Sequence, residues 1–121
     1  MKGLNKLMVI GNLGRDPELR YTAGSRPVAS FSVAVTERFG DTDHTEWVSV
    51  VAWGKLAEIC AQYLRQGSRV YLEGRLQTRS WEDNDGQPRQ RTELVVLEMV
   101  MLGGGRGQAE QAEVSVDEIP F

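Results

Sequence analysis

Two stretches of the chain carry side chains able to grip flat, charged molecules with no catalytic step. In RVYLEGRLQTRSW (69–81), Arg69, Tyr71, Arg75, Arg79 and Trp81 share one alternating set with Glu73 and Gln77. In EWVSVVAW (46–53), Trp47 and Trp53 stand on one set, roughly 20 Å apart at strand rise. An aromatic ring stacks on an unpaired base whatever that base is, for about 1–3 kcal/mol each. A guanidinium or ammonium neutralises phosphate and releases counterions, an attraction that weakens with salt. A duplex hides its base faces, so aromatics interleaved with arginines select single strands and little sequence. Plainer assignments exist for each part alone: edge charges discourage aggregation, and a tryptophan is usually well buried. The other set of the second stretch, Val48, Val50 and Ala52, already supplies an interior, which favours the displayed reading of the indoles.

Other chemistries lack their residues. The chain has 1 Cys (Cys60) and 1 His (His44), which removes an internal disulfide, a cysteine-based metal site and a histidine-based triad. Asp41 and Asp43, like Glu82, Asp83 and Asp85, sit near glycines in polar runs. They read as turn formers there, not as carboxylates converging from rigid elements. No enzyme, metal or cofactor is expected, and Cys60 reads as a small packing hydrophobe. No apolar run nears the ~20 residues of a membrane span, and MKGLNKLMVIG lacks a signal-peptide cleavage pattern. A soluble, cytoplasmic protein is therefore expected. The net charge of −3 conceals a division: all 14 Lys and Arg fall within 1–107, whereas 108–121 hold Glu110, Glu113, Asp117 and Glu118 and no base. A slightly basic body ends in an acidic tail with an apolar tip, Ile119-Pro120-Phe121.

Displaying such a face takes strands. LNKLMVIGNL (4–13) is apolar on both alternating sets, which suits a strand covered on two sides, one of them by another subunit. GRDPELRYTAGSRP reads as turns with a short extended piece. VASFSVAVT (28–36) alternates with period two, ERFGDTDH (37–44) is a polar hairpin loop, and EWVSVVAW returns as a strand. In KLAEICAQYLRQGS, Leu56, Ile59, Cys60, Tyr63 and Leu64 fall on one stripe, predicting a helix over 55–66 stopped by Gly67. The inward set of 69–81 is Val70, Leu72, Gly74, Leu76 and Thr78; EDNDGQPRQ is a hairpin tip around Asp85-Gly86, and RTELVVLEMVML (91–102) the last strand. Five strands with one α-helix between strands 3 and 4 are the element order of the OB-fold, an all-β, five-stranded Greek-key barrel. The expected organisation is an OB-fold domain over 1–102, a flexible Gly/Gln/Glu linker over 103–116 and a tip over 117–121, the last two forming a disordered acidic tail.

Three motifs carry a family resemblance: NKLMVIGNLGRDPELRYTAG, TEWVSVVAWGKLAEICAQYLRQGSRVYLEGRLQTRSW and the closing DEIPF. Over essentially its full length the chain resembles the bacterial single-stranded DNA-binding protein (SSB) family. The resemblance implies base stacking by Phe39, Trp47, Trp53 and Trp81. Phe39 stands where relatives often have tryptophan, and Trp53 where phenylalanine is common. It also implies phosphate contacts from Lys2, Lys6, Arg20, Lys55, Arg69, Arg75 and Arg79. It further implies a homotetramer around which one strand wraps, and replication, repair and recombination proteins docked through Asp117, Glu118, Ile119, Pro120 and Phe121. Glu118 replaces the commoner Asp and keeps its charge, while the 103–116 linker is shorter than in many relatives. The expected function is sequence-independent binding and protection of single-stranded DNA. The alternative from another class is an OB-fold primosome or adaptor protein acting mainly through protein contacts.

Overall fold

Period-two alternation and tight turns give a nearly all-β chain. The computed structural model describes residues 2–103, so the expected linker beyond Gly103 and the docking residues Asp117 to Phe121 lie outside the described residues. The elements run β1 (Leu7–Leu13), β2 (Glu18–Tyr21), β3 (Pro27–Phe39), β4 (Thr42–Trp53), α1 (Lys55–Tyr63), β5 (Arg69–Glu82) and β6 (Pro88–Leu102). Neighbours follow β1-β5-β6-β4-β3, and the ring closes because β1 also meets β3 at Asn12↔Ala34 and Leu13↔Val33. All pairings are antiparallel except β4 with β6. The short extended piece expected near Arg20 is β2, which lies along the first half of β3 through Leu19↔Ala29. The result is the expected OB barrel of five strands, with its helix between the third and fourth of them.

The core is sealed by aliphatic side chains: Val33, Val50, Val70, Leu72, Leu94 and Met99 are all buried. α1 caps it with Leu56, Ala57, Ile59 and Cys60, and burial pushes the Cys60 thiol up to about 12. The helix is shorter than the predicted 55–66. It ends at Tyr63 because Leu64 turns extended (φ −92, ψ 145) and places its side chain wholly in the core. Gly67, at φ 89, serves the turn into β5 instead of stopping the helix, and its N–H donates to the Leu13 carbonyl at 2.8 Å. Tyr63 is part-exposed at the helix end. Among the described residues no helix is long and apolar enough to cross a membrane.

Both hairpins run further than their polarity suggests. The predicted 37–44 loop is ladder down to Phe39↔Thr42, leaving Gly40 and Asp41 to turn. Polar side chains pair across it: Thr36 with Thr45 at 2.9 Å and Arg38 with Asp43 at 3.0 Å. At the second tip the ladder continues to Glu82↔Pro88. Asp83 builds the turn there, accepting the Asp85 and Gln87 N–H groups at 2.9 Å and pairing with Arg89 at 2.8 Å. The Gln87 N–H, then Arg89, hold its carboxyl below the usual carboxylate range.

A β-bulge decides where β5 goes. Its register with β6 slips between Glu73↔Glu98 and Gly74↔Val96. Backbones meet so closely there that a Cβ on Gly74 would lie 1.9 Å from the Val95 carbonyl oxygen. Beyond it Leu76 and Thr78, predicted to face inward, are exposed, because β5 has bent out of the barrel wall as one half of a largely solvated arm with β6. Asn5 ties the base of that arm, its side chain exchanging hydrogen bonds of 2.8 and 2.9 Å with the Leu76 backbone.

Candidate nucleic-acid interface

The outward set of β4 and the two hairpins present the aromatics. Trp47 is 61% exposed, Trp53 36%, Trp81 40% and Phe39 62%, so none of the four belongs to the core. Each is set by different local chemistry. Trp47 pairs in register with Ala34, and its ring lies against Gly14, where a Cβ would stand 2.6 Å from it. A side chain at position 14 would push that indole off its seat. Trp53 closes β4 and carries the Arg26 guanidinium 4.9 Å from its ring centroid, a cation–π contact. Trp81 stands on the arm with the Arg79 guanidinium 5.0 Å from its centroid. Phe39 tips the first hairpin, its ring tilted 57° to that of His44 with centroids 6.4 Å apart.

Five strands converge beside Trp53, β3 contributing Val28 and Ser30. A cavity of about 170 Å³ is lined there by Arg20 from β2, Val51 from β4, and Gln77, Arg79 and Glu93 from the arm. A second hollow, about 330 Å³, opens between Trp53, Arg26, Lys55 and the β6 residues Val95 to Leu97. A third, shallow one runs along Trp81 between Ser80 and Arg89. The fold thus gathers Arg20, Lys55 and Arg79 around Trp53, and Arg79 also lies over Trp81.

The other expected cations stand differently. Lys6 pairs with Glu73 at 3.3 Å, beside the exposed Met8 and Ile10. Glu73 also accepts the Tyr71 hydroxyl at 2.5 Å, a bond that pushes the phenol up to about 12. The same bond, with Lys6, holds the Glu73 carboxyl below its ordinary range. Arg69 donates to the Asn12 side chain at 2.9 Å and Arg75 to that of Gln77 at 2.8 Å. Arg20 is paired with Glu18 at 3.3 Å, while Lys2 and Lys55 make no ion pair among the described residues. Arg79 is the most constrained, held by the buried Glu93 through two hydrogen bonds. Sequence reading missed Gly14, Arg26 and Glu93, whose partners lie far along the chain and leave no local pattern.

This surface offers flat rings, with cations beside Trp53 and Trp81. Among the described residues no three His, Cys, Asp or Glu side chains gather where they could hold a metal ion. His44 is spent on Glu46 at 2.9 Å.

Comparison with known proteins agrees with this geometry. A relative from Chlorobaculum tepidum, single-stranded DNA-binding protein 1, is 50% identical over 123 aligned residues, covering 93% of this chain and 76% of its own. Among solved structures, the Plasmodium falciparum SSB complex with ssDNA superposes with a TM-score of 0.77 at 34% identity, covering 85% of this chain and 98% of that one. Residues 4–102, the whole barrel, match the model of the single-strand binding protein family. The chain belongs to the single-strand binding protein family.

Proposed function

We propose that this chain coats single-stranded DNA, without catalysis and with little regard to sequence. One observation carries the proposal: Phe39, Trp47, Trp53 and Trp81 all stand on the barrel's exterior, with arginine or lysine beside the last two. The names of the relative and the neighbouring structure support the same ligand. α1 spends its apolar stripe on the barrel, so among the described residues no helix is left to read a duplex groove. Occupying a single strand draws it away from hairpins and duplex by mass action. Titration with poly-dT should quench tryptophan fluorescence strongly at low salt, with log K falling linearly in log[salt]. Unchanged emission at every salt concentration would overturn the proposal.

The wider role follows from the same reading. Coated strands arise in replication, repair and recombination, and the cytoplasmic nucleoid is where such a protein works. The exposed Met8 and Ile10 on β1, beside the Lys6–Glu73–Tyr71 cluster, form the face on which copies assemble into a homotetramer. Light scattering should return a mass near four times 13.5 kDa; a monomer would remove the assembly from the proposal. Residues 103–116 serve as a linker and 117–121 as a docking tip for partner proteins. Phe121, Pro120 and Ile119 fill an apolar pocket while a basic rim holds Asp117, Glu118 and the terminal carboxylate. Deleting Phe121 should abolish partner recruitment and leave poly-dT affinity unchanged; recruitment that survives contradicts the pocket-filling role.

A further inference from the structure

A face offered to a polyanion has reason to avoid carboxylates, yet Glu93 sits within it. Its residue is 5% exposed, it lines the cavity beside Trp53, and it stands opposite Gln77 in the ladder of the arm. Its Oε1 accepts from Arg79 Nε at 3.0 Å and its Oε2 from Arg79 Nη2 at 3.3 Å. A two-point bond of this kind fixes the guanidinium plane as well as its position. That same group lies over Trp81, 5.0 Å from the ring centroid.

We propose that Glu93 is a positioning residue that converts Arg79 from a phosphate contact into a stacking shelf joined to Trp81. The inference rests on the single-strand reading above. The pair carries no net charge, so a phosphate gains little from approaching it. A guanidinium held flat still offers a face on which a base stacks. A lysine in its place would keep the charge and lose both the plane and the fork. Glu93 thereby sets the geometry of the arm's base platform from a buried position that need not touch DNA itself.

Oligo-dT titrations of the full chain at several salt concentrations test this, using Arg79→Lys, Glu93→Gln and the double variant Arg79→Gln/Glu93→Gln. Stacking worth about 1–3 kcal/mol predicts roughly a fivefold or greater loss of affinity in all three. In the double variant, where both charges vanish together, the salt slope should match wild type. Trp81 emission, read in a Trp47→Phe/Trp53→Phe background, should become more accessible to acrylamide in Glu93→Gln, a change that simple loss of phosphate attraction does not produce. Near-wild-type affinity in Arg79→Lys, or a slope smaller by about 1 in the double variant, marks Arg79 as a phosphate contact and overturns the inference. Tighter binding by Glu93→Gln overturns it too, because the carboxylate would then only restrain a useful charge. If Glu93→Gln does not fold, the other two variants still decide. Wild type that fails to bind oligo-dT overturns the single-strand reading and this inference together. Binding by wild type with phosphate-like variants overturns this inference alone.

Discussion

Replacing Trp53 and Trp81 together by alanine is expected to weaken oligo-dT binding by about 2–6 kcal/mol, roughly thirtyfold at the least. Both rings are partly exposed and absent from the buried core, so their removal leaves the core packing in place. What the fold loses is one cation–π contact at each ring, to Arg26 and Arg79. Exposed substitutions of this kind change stability by about 0.5 kcal/mol or less, and exposed cation–π contacts add about as much again. Melting temperature and far-UV spectrum should therefore stay close to wild type while affinity collapses. The two rings occupy different elements, the end of β4 and the end of β5, but both adjoin Arg79, so the two single variants should be measured beside the double to read their coupling. A folded double variant that binds like wild type would remove stacking as the source of affinity.

Gly74→Ala should be the most damaging small substitution in the barrel. The added methyl would sit 1.9 Å from the Val95 carbonyl oxygen and 3.1 Å from the Val96 Cα, both backbone atoms that cannot rotate aside. Strand β5 and β6 must separate at their bulge, at a cost of about 3 kcal/mol or more, the upper range for overpacking. For a barrel of this size that corresponds to a fall in melting temperature of roughly 12 °C or more. Gly3→Ala is the control: nothing lies within 4 Å of its Cβ position, and it should melt like wild type. The bulge also aims the arm that carries Arg79 and Trp81, so the folded fraction of Gly74→Ala should bind oligo-dT more weakly. A melting temperature equal to that of Gly3→Ala would show that the strands part there without cost.

Much of the face was legible in local alternation. Val48, Val50 and Ala52 against Trp47 and Trp53 separated the core side from the exposed rings, because successive residues of a strand point to opposite faces, although Val51 of the outward set is covered as well. The same rule failed at Leu76 and Thr78. One extra β6 residue, Leu97, at the bulge opposite Glu73 and Gly74 turns the paired strands away from the core, and alternation along β5 has no term for that. The 37–44 stretch misled for a related reason. Its polar side chains suggested a loop, but ladder hydrogen bonds join backbones, and Thr36–Thr45 and Arg38–Asp43 pair across the strands once the backbones are in register.

From the amino-acid order alone came the barrel's element sequence, the kinship, the exposed aromatics and the division into basic body and acidic end. These rest on composition and on neighbours one or two positions apart. Only the tertiary structure decided that Gly14 seats Trp47, that Arg26 covers Trp53 and that Glu93 holds Arg79. Such partners are distant in the chain and meet through strand register, which sums many weak backbone pairings and leaves no mark on any single residue.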